Sequence, residues 1–277
     1  MDSPGTLLRK YRLLPKHSWG QNFLGDAGIL SRIAAACGLR AGDTVVELGA
    51  GLGHLTEQLL ATGARVIAVE RDREMAAVLR EVFGDRPGLT IVEANATTCS
   101  IRELAGVPCA VVGNLPYHLS SEIIFHCLAQ RADITRMVFT LQAEFAERLA
   151  AGPGSRTYGI LSVQAQALCE VSLLFKIAAG AFHPKPEVDS AVVYLVPLSQ
   201  PRCPLAGTPI FERTVRAAFA HRRKTLQNSL TGSGMLGAKE ALTAAGIDPT
   251  RRAETVSVEE FGRLATALAE RADPTDR

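Results

Sequence analysis

The chain contains 277 residues, of which 47% are apolar and 21% are charged, and this mixture excludes intrinsic disorder and a coiled coil. The length suits one large domain or two unequal ones. No apolar run approaches the roughly 20 residues that cross a bilayer, and no apolar region follows the basic residues near the amino end. We therefore expect a cytoplasmic protein with neither a membrane span nor a signal peptide.

Charge is unevenly distributed along the chain, although the formal net charge is only +2. Residues 41–150 contain 9 Lys and Arg against 14 Asp and Glu, whereas the remaining residues contain 21 against 14. The basic excess toward the two ends favours a polyanionic partner. The six cysteines include no Cys-x-x-Cys pair, so we expect reduced thiols and no metal site.

Strand and helix patterns alternate over the first two thirds of the chain. Asp26 is a candidate N-cap for a first helix, whose apolar face carries Ile29, Ile33 and Cys37. Predicted strands follow at residues 44–48, 65–70, 89–93, 109–113 and 136–141, with helices at 54–61, 72–83, 120–130 and 143–150. Apolar runs at 171–177 and 190–196 are candidate edge strands. The alternation predicts an α/β fold with a mostly parallel sheet.

Four prolines between residues 197 and 209 indicate a domain boundary. The pattern beyond them is helical, and Ser257-Val258-Glu259-Glu260 forms a capping box ahead of an apolar stripe. We therefore predict two domains, at residues 1–200 and 201–277, of which the second is small and all-helical.

A glycine-rich turn follows the first strand of the predicted sheet, in the order Glu47-Leu48-Gly49-Ala50-Gly51-Leu52-Gly53. Parallel sheets bind ligands at the carboxyl ends of their strands, where glycines allow a close approach to the backbone. The dinucleotide pattern requires a small residue where this chain has His54, which disfavours a nicotinamide-dependent oxidoreductase. Glu70 ends the next strand, where a carboxylate can accept both hydroxyls of a ribose. The two acids and the glycines resemble the S-adenosylmethionine site of Rossmann-like methyltransferases.

The segment Gly113-Asn114-Leu115-Pro116-Tyr117 ends a later strand, and such a segment can also be an ordinary β-turn. The exocyclic amine of adenine is a poor nucleophile because its lone pair is delocalised into the ring. Two acceptors, the Asn114 side-chain carbonyl and the Pro116 backbone carbonyl, would favour the pyramidal nitrogen that attacks a methyl group. Proline keeps that backbone rigid, and Tyr117 can stack on the base.

These segments are joined by residues 20–24, 182–190 and 222–230 in a colinear match that spans roughly residues 16 to 270. Together they resemble the bacterial small-subunit (16S) ribosomal RNA adenine N6,N6-dimethyltransferases. The resemblance implies a Rossmann-like S-adenosylmethionine methyltransferase domain followed by a small helical domain that binds RNA. The expected reaction dimethylates two adjacent adenosines near the 3′ end of the RNA, leaves S-adenosylhomocysteine and serves small-subunit biogenesis.

The resemblance also implies roles for individual residues. The catalytic set is Asn114, Pro116, Tyr117 and Phe182, the last facing Tyr117 across a flipped adenine. The cofactor-binding set is Asn22, Leu24, Gly49, Gly51, Glu70, Asn95 and Asn114.

Asn95 departs from the family pattern, which usually has an aspartate there to bind the adenine of the cofactor. The amide carbonyl can still accept a hydrogen bond from an amino group, but it carries no charge. We therefore predict a lower cofactor affinity than an aspartate would give.

Residues 211–230 carry five basic residues against a single acid, Glu212. A solvated helix face would explain this pattern, and so would an edge that binds RNA phosphates. We assign RNA binding to Arg222, Arg223 and Lys224. The expected partner is small-subunit ribosomal RNA within a 30S-type assembly particle, and a monomer is the default state.

Other functions stay open on the sequence alone. A 23S ribosomal RNA adenine N6-methyltransferase of the macrolide-resistance type shares the catalytic motifs but matches residues 222–230 less well. A DNA adenine methyltransferase typically has different residues before the Pro-aromatic pair and an added target-recognition domain. A ribosome-assembly factor that acts mainly by binding would still support subunit maturation as its Asn114→Ala variant.

Overall fold

The computed structural model describes residues 1–16, 19–221 and 223–271. Contacts between Cα atoms divide the chain into two compact units. The first comprises residues 1–146 and 172–197, and the second comprises residues 147–171 and the chain from Leu198 onward. This division differs from the predicted single boundary at residue 200, because residues 147–171 group with the C-terminal part of the chain.

The first unit contains the alternating region. Its helices are α1 (Pro4–Lys10), α2 (Ala27–Ala36), α3 (His54–Leu60), α4 (Arg73–Phe83), α5 (Ile101–Ala105) and α6 (Ser120–Ala129). Helix α7 (Ala143–Ala150) and strand β7 (Cys169–Ile177) each contain a boundary between the two units. The strands are β1 (Phe23–Leu24), β2 (Thr44–Leu48), β3 (Arg65–Glu70), β4 (Leu89–Glu93), β5 (Cys109–Asn114), β6 (Ile134–Gln142), β7 (Cys169–Ile177), β8 (Phe182–His183) and β9 (Ser190–Pro197).

Seven strands form one mixed sheet in the order β4-β3-β2-β5-β6-β9-β7. The strands from β4 to β6 are parallel, whereas β9 runs antiparallel to β6. The predicted α/β fold with a mostly parallel sheet is therefore confirmed. The chain moves outward from β2 to β4 and then returns to the other side of β2 at β5. The crevice at the carboxyl ends of β2 and β5 is thus the switch point where such sheets bind ligands.

Local side-chain caps fix the starts of two predicted helices. Asp26 accepts the Ile29 N–H ahead of α2, and Asp72 accepts the Glu74 N–H ahead of α4. The apolar face of α2 then packs Ile33 into the core, where this residue is 1% exposed. These contacts are local in sequence, which explains why the pattern predicts them.

A separate two-stranded ribbon has no counterpart in the sequence pattern. β1 pairs antiparallel with β8, so that Phe23 lies opposite His183 and Leu24 lies opposite Phe182. Strands of two residues are too short to show the alternation that reveals a strand. The ribbon anchors the segment before α2 to the segment before β9.

The second unit is helical beyond residue 200, as predicted. Its helices are α8 (Ile160–Gln166), α9 (Pro209–Phe219), α10 (Leu226–Gly232), α11 (Ala238–Ala244) and α12 (Val258–Ala269). The predicted capping box is confirmed, since Ser257 Oγ accepts the Glu260 N–H and the Glu260 side chain accepts the Ser257 N–H. Among the described residues, no helix is both long enough and apolar enough to cross a membrane.

Tyr158 explains why residues 147–171 belong to this unit. Its hydroxyl donates to the Val256 carbonyl at 3.1 Å. Its ring packs edge-on against the Phe219 ring, and the two ring centroids are 6.2 Å apart. The Gly154 N–H also donates to the Glu254 carbonyl at 2.7 Å. Such contacts join segments roughly 60 to 100 residues apart, so they leave no trace in a local pattern.

Candidate active site

One cavity lies at the carboxyl ends of β2, β3, β4 and β5, and the segment before α2 forms a further wall. Its volume is about 990 Å³, including the open mouth. All the residues predicted to bind the cofactor line it, namely Asn22, Leu24, Gly49, Gly51, Glu70, Asn95 and Asn114. The structure thus brings this set together, and the ligand contacts of each residue stay a prediction.

The turn after β2 depends on glycines with positive φ. Gly51 has a φ of 56° and Gly53 has a φ of 85°. A Cβ on Gly53 would lie 2.4 Å from the Phe83 ring, so a larger residue there would add a clash to the backbone strain. The Gly51 N–H donates to Glu70 Oε2 at 2.8 Å, which ties the turn to the end of β3. The loop therefore offers backbone rather than bulky side chains to a ligand.

Glu70 is 9% exposed, and both of its carboxylate oxygens accept backbone hydrogen bonds. Oε2 accepts the Gly51 N–H, and Oε1 accepts the Asp72 N–H, each at 2.8 Å. Burial raises the pKa of Glu70, and these backbone hydrogen bonds oppose the shift. Each carboxylate oxygen keeps a second lone pair, so the group can still accept the hydroxyls of a ribose.

Asn114 is the last residue of β5 and lies opposite Thr140 of β6. Its Nδ2 donates to the Asn22 carbonyl at 2.8 Å. Its Oδ1 is buried and accepts no hydrogen bond from the described residues. A buried carbonyl without a donor is costly, and here it belongs to a residue that lines the cavity. A ligand N–H would complete its hydrogen bonding.

The second predicted acceptor, the Pro116 carbonyl, is already engaged within the chain. It accepts the Leu119 N–H at 3.0 Å and the Ser120 hydroxyl at 3.1 Å. A carbonyl oxygen has two lone pairs, so an amine must displace one of these donors. The Ser120 hydroxyl is the donor that can rotate away, whereas the Leu119 N–H is fixed by the backbone.

The two aromatic residues predicted to hold the base differ in their surroundings. Tyr117 is half-buried, and its hydroxyl shares a 2.8 Å hydrogen bond with Ser190 Oγ. Phe182 is 4% exposed and packs in a hydrophobic cluster with Leu24 and Val192. Neither Tyr117 nor Phe182 is among the residues that line the cavity. Stacking on a base would therefore require the Phe182 ring to leave this cluster.

Asn95 follows β4, and its side-chain carbonyl accepts the Thr97 N–H at 3.1 Å. This hydrogen bond forms an Asx turn, which leaves the NH₂ of the amide as the free end. An aspartate would keep the turn with one oxygen and present the other as a second acceptor. The turn therefore provides a geometric basis for the predicted loss of affinity.

Two further residues of the cavity carry no role in the sequence prediction. Glu47 is 1% exposed and accepts the Thr56 hydroxyl at 2.6 Å. Its position just before the glycine-rich turn is the feature of the sequence that could have indicated this residue. Trp19 has the Arg71 guanidinium 4.2 Å and the Lys16 ammonium 4.8 Å from its ring centroid. No local pattern could have revealed that cluster, because it joins two separate segments.

Similarity to known proteins tests the family resemblance seen in the sequence. The profile of a family described as "Ribosomal RNA adenine dimethylase" matches residues 13–270. The chain belongs to the ribosomal RNA adenine dimethylase family. A curated relative from Myxococcus xanthus (strain DK1622), named "Ribosomal RNA small subunit methyltransferase A", is 52% identical over 97% of this chain and 96% of its own length. A relative of the same name from Anaeromyxobacter dehalogenans (strain 2CP-C) is 51% identical over 96% of this chain and 98% of its own.

A solved structure supports the same assignment at the level of the fold. The crystal structure titled "23S rRNA methyltransferase ErmE" is 29% identical to this dimethylase and covers 89% of this chain and 99% of its own. The two superpose with a TM-score of 0.69. Family membership and this superposition confirm the predicted Rossmann-like methyltransferase fold and the S-adenosylmethionine-dependent enzyme class.

The RNA-binding prediction for the dimethylase falls partly outside the described residues, since Arg222 lies there. Arg223 and Lys224 are described, and both are exposed just before α10. Among the described residues, no group of three or more His, Cys, Asp or Glu side chains is placed to hold a metal ion.

Proposed function

We propose that this dimethylase transfers methyl groups from S-adenosylmethionine to N6 of two adjacent adenosines near the 3′ end of small-subunit ribosomal RNA. The product is N6,N6-dimethyladenosine. Two relatives that are 52% and 51% identical over nearly the whole chain carry the small subunit in their names, which supports this substrate. We propose further that the RNA is presented in a 30S-type assembly particle, and that the enzyme acts as a monomer in the cytoplasm.

The proposal rests on Asn114 Oδ1, a buried acceptor without a donor among the described residues, which we call the orphan acceptor. The Asn114 Nδ2 is satisfied by the Asn22 carbonyl, whereas Oδ1 has no such partner among the described residues. A folded protein rarely leaves such a group without a partner. An adenine amine brings the N–H that this carbonyl lacks.

The cavity also suits the cofactor. The Gly49 and Gly51 backbone allows a close approach, and the Glu70 carboxylate has lone pairs left for hydroxyl donors. We assign cofactor binding to these residues together with Asn22, Leu24, Asn95 and Asn114. When bound, S-adenosylmethionine supplies an electrophilic methyl group on its sulfonium.

The chain's own contribution is to hold the amine. Asn114 Oδ1 accepts one N–H of adenine, and the Pro116 carbonyl accepts the other once the Ser120 hydroxyl has rotated away. These two bonds keep the nitrogen pyramidal and direct its lone pair at the methyl carbon. Tyr117 stacks on the base, and Phe182 does so only if its ring leaves the hydrophobic cluster. The nitrogen loses a proton to solvent after the new bond forms, so no buried base is required.

A 23S ribosomal RNA methyltransferase is the second candidate, because a structure with that title shares the fold at 29% identity. The two small-subunit relatives are much more similar, at 52% and 51% identity, which disfavours it. A factor that acted only by binding would have no use for a buried acceptor without a donor in this cavity.

Labelled S-adenosylmethionine tests the proposal directly. The protein is incubated with small-subunit particles that lack the modification, and in parallel with large-subunit RNA and duplex DNA. Mass spectrometry of digested nucleosides should find N6,N6-dimethyladenosine from the small-subunit particles alone. Label in large-subunit RNA would move the assignment to the resistance type. Bound particles without label would favour an assembly factor.

A further inference from the structure

Asp72 is a buried carboxylate that the proposed reaction leaves without a role. It is 2% exposed, and its Oδ1 caps α4 by accepting the Glu74 N–H at 3.1 Å. Its Oδ2 accepts two side chains from the amino-terminal segment, Lys16 Nζ and Gln21 Nε2, each at 2.9 Å. An N-cap requires only one oxygen, so Oδ2 is free for this second set of contacts.

Gln21 is held at both ends of its amide. Its Nε2 donates to Asp72, and its Oε1 accepts the Lys16 N–H at 2.8 Å. An amide bonded through both ends has a single orientation. The next residue, Asn22, is therefore fixed on one side by the Gln21 side chain and on the other by the pairing of β1 with β8.

The Asn22 backbone carbonyl in turn orients the catalytic amide. It accepts the Asn114 Nδ2 at 2.8 Å, so the NH₂ end is engaged and Oδ1 is left as the orphan acceptor. If that carbonyl moved, the amide could turn over and present its NH₂ to the adenine amine. Two donors would then face each other, and the amine would lose its acceptor.

We propose that Gln21 and Asp72 are positioning residues for methyl transfer, which act through the Asn22 carbonyl to keep Asn114 Oδ1 available to the amine. This inference rests on the proposed function, in which Asn114 is that acceptor. Asp72 is not among the residues that line the cavity. Its substitution should therefore lower turnover more than it lowers cofactor affinity.

A donor and acceptor swap tests the pair. Gln21→Glu places one carboxylate against another, and Asp72→Asn places an NH₂ against both the Gln21 NH₂ and the Lys16 ammonium. The double variant restores a donor facing an acceptor, with the roles reversed. Asparagine is as good an N-cap as aspartate, so the start of α4 is preserved. Glu74→Gln is the matched control, because it removes the negative charge of the exposed partner of Lys16 without changing the contact between Gln21 and Asp72.

The readouts are kcat on unmodified small-subunit particles at saturating substrates, the Kd for S-adenosylmethionine by calorimetry, and the melting temperature. Each single variant should lose about ten-fold in kcat, and the double variant should recover to within about three-fold of the parent. Asp72→Asn should lose less than about three-fold in affinity, because Asp72 does not line the cavity, whereas Gln21 does. Glu74→Gln should match the parent. A single variant with parental kcat, or a double variant as slow as the product of the singles, overturns the proposal.

Two further variants keep the outcome decisive. If a swap variant does not fold, Asp72→Ser keeps a capping side chain and removes the contacts to Lys16 and Gln21. Parental kcat in Asp72→Ser would then refute the positioning role. Asn114→Ala tests the acceptor itself. Full activity of Asn114→Ala would refute the acceptor role of Asn114 and with it the positioning role, whereas an inactive Asn114→Ala beside fully active swap variants refutes only the positioning role. A parent protein that methylates no small-subunit particle would refute the proposed function.

Discussion

The Thr56 hydroxyl donates a 2.6 Å hydrogen bond to Glu47 Oε2, which joins the first turn of α3 to β2 beneath the glycine-rich turn. Both residues are buried, at 0% and 1% exposure. Burial raises the pKa of Glu47 to about 8, the Thr56 hydrogen bond opposes the shift, and the Glu70 charge adds to it. In the folded protein Glu47 is therefore mostly protonated at neutral pH.

This pKa makes stability fall as the pH rises. Between the ordinary glutamate value of 4.5 and about 8, the folded protein binds one more proton than the unfolded chain. The free energy of unfolding should therefore decrease by about 1.4 kcal/mol per pH unit from this group. Glu47→Gln keeps an acceptor for Thr56 and cannot ionise. It should match the parent near pH 5 and exceed its stability by about 2–4 kcal/mol at pH 8.

Urea unfolding at several pH values between 5 and 8 measures this difference. Thr56→Val is a useful comparison, since it removes the hydrogen bond while leaving the carboxyl group in place. A stability difference between Glu47→Gln and the parent that does not change with pH would contradict the raised pKa.

Ser120→Ala tests whether the Pro116 carbonyl must be released for the reaction. The Ser120 hydroxyl occupies one lone pair of that carbonyl at 3.1 Å, and its removal leaves the lone pair free for the adenine amine. We expect kcat to stay the same or rise by up to about three-fold, while stability falls by about 1 kcal/mol. Single-turnover methylation and thermal unfolding give the two numbers. Slower transfer with unchanged substrate binding would mean that the hydroxyl belongs to the reactive geometry.

Local patterns predicted most of the α/β region. The predicted ends of β3, β4 and α7 coincide with those observed, because the apolar periodicity that marks them acts over a few residues. The glycine-rich turn and the carboxylate of Glu70 could also be predicted, because a ligand-binding turn after a parallel strand has a short sequence signature. The residues predicted to bind the cofactor line one cavity, and their contacts with a ligand stay a prediction.

Contacts between distant segments could not be predicted from local sequence patterns. The burial of Phe182 follows from its pairing opposite Leu24, and neither strand is long enough to show a period. The engagement of the Pro116 carbonyl by Ser120 depends on how the chain turns into α6. The grouping of residues 147–171 with the C-terminal unit depends on the contacts of Tyr158. Each is a tertiary arrangement that the local sequence does not encode.

Asn95→Asp should bind the cofactor more tightly than the parent. The Asn95 carbonyl already accepts the Thr97 N–H, so an aspartate adds a second, charged oxygen for the adenine amino group without losing the turn. A charge-assisted hydrogen bond of this kind should lower the Kd for S-adenosylmethionine by about ten-fold. Asn95→Ser is the control, because it can keep the turn and offers no second acceptor. Calorimetric isotherms that show no gain for Asn95→Asp would remove this explanation of the departure from the family pattern.

Charge reversal of Arg222, Arg223 and Lys224 tests the RNA-binding assignment. Cations that contact phosphates release counterions from the RNA, so their loss weakens binding and flattens its dependence on salt. The triple variant with glutamate at all three positions should reduce the slope of log K against log salt by about 2–3 while leaving cofactor affinity unchanged. The matched control reverses two exposed basic residues elsewhere, Arg40 and Lys239, and should retain the parental slope to within about one. Filter binding to small-subunit RNA across a salt series gives the slopes. A triple variant with the parental slope would assign these side chains to a solvated surface, and the phosphate contacts would then have to come from another part of the chain.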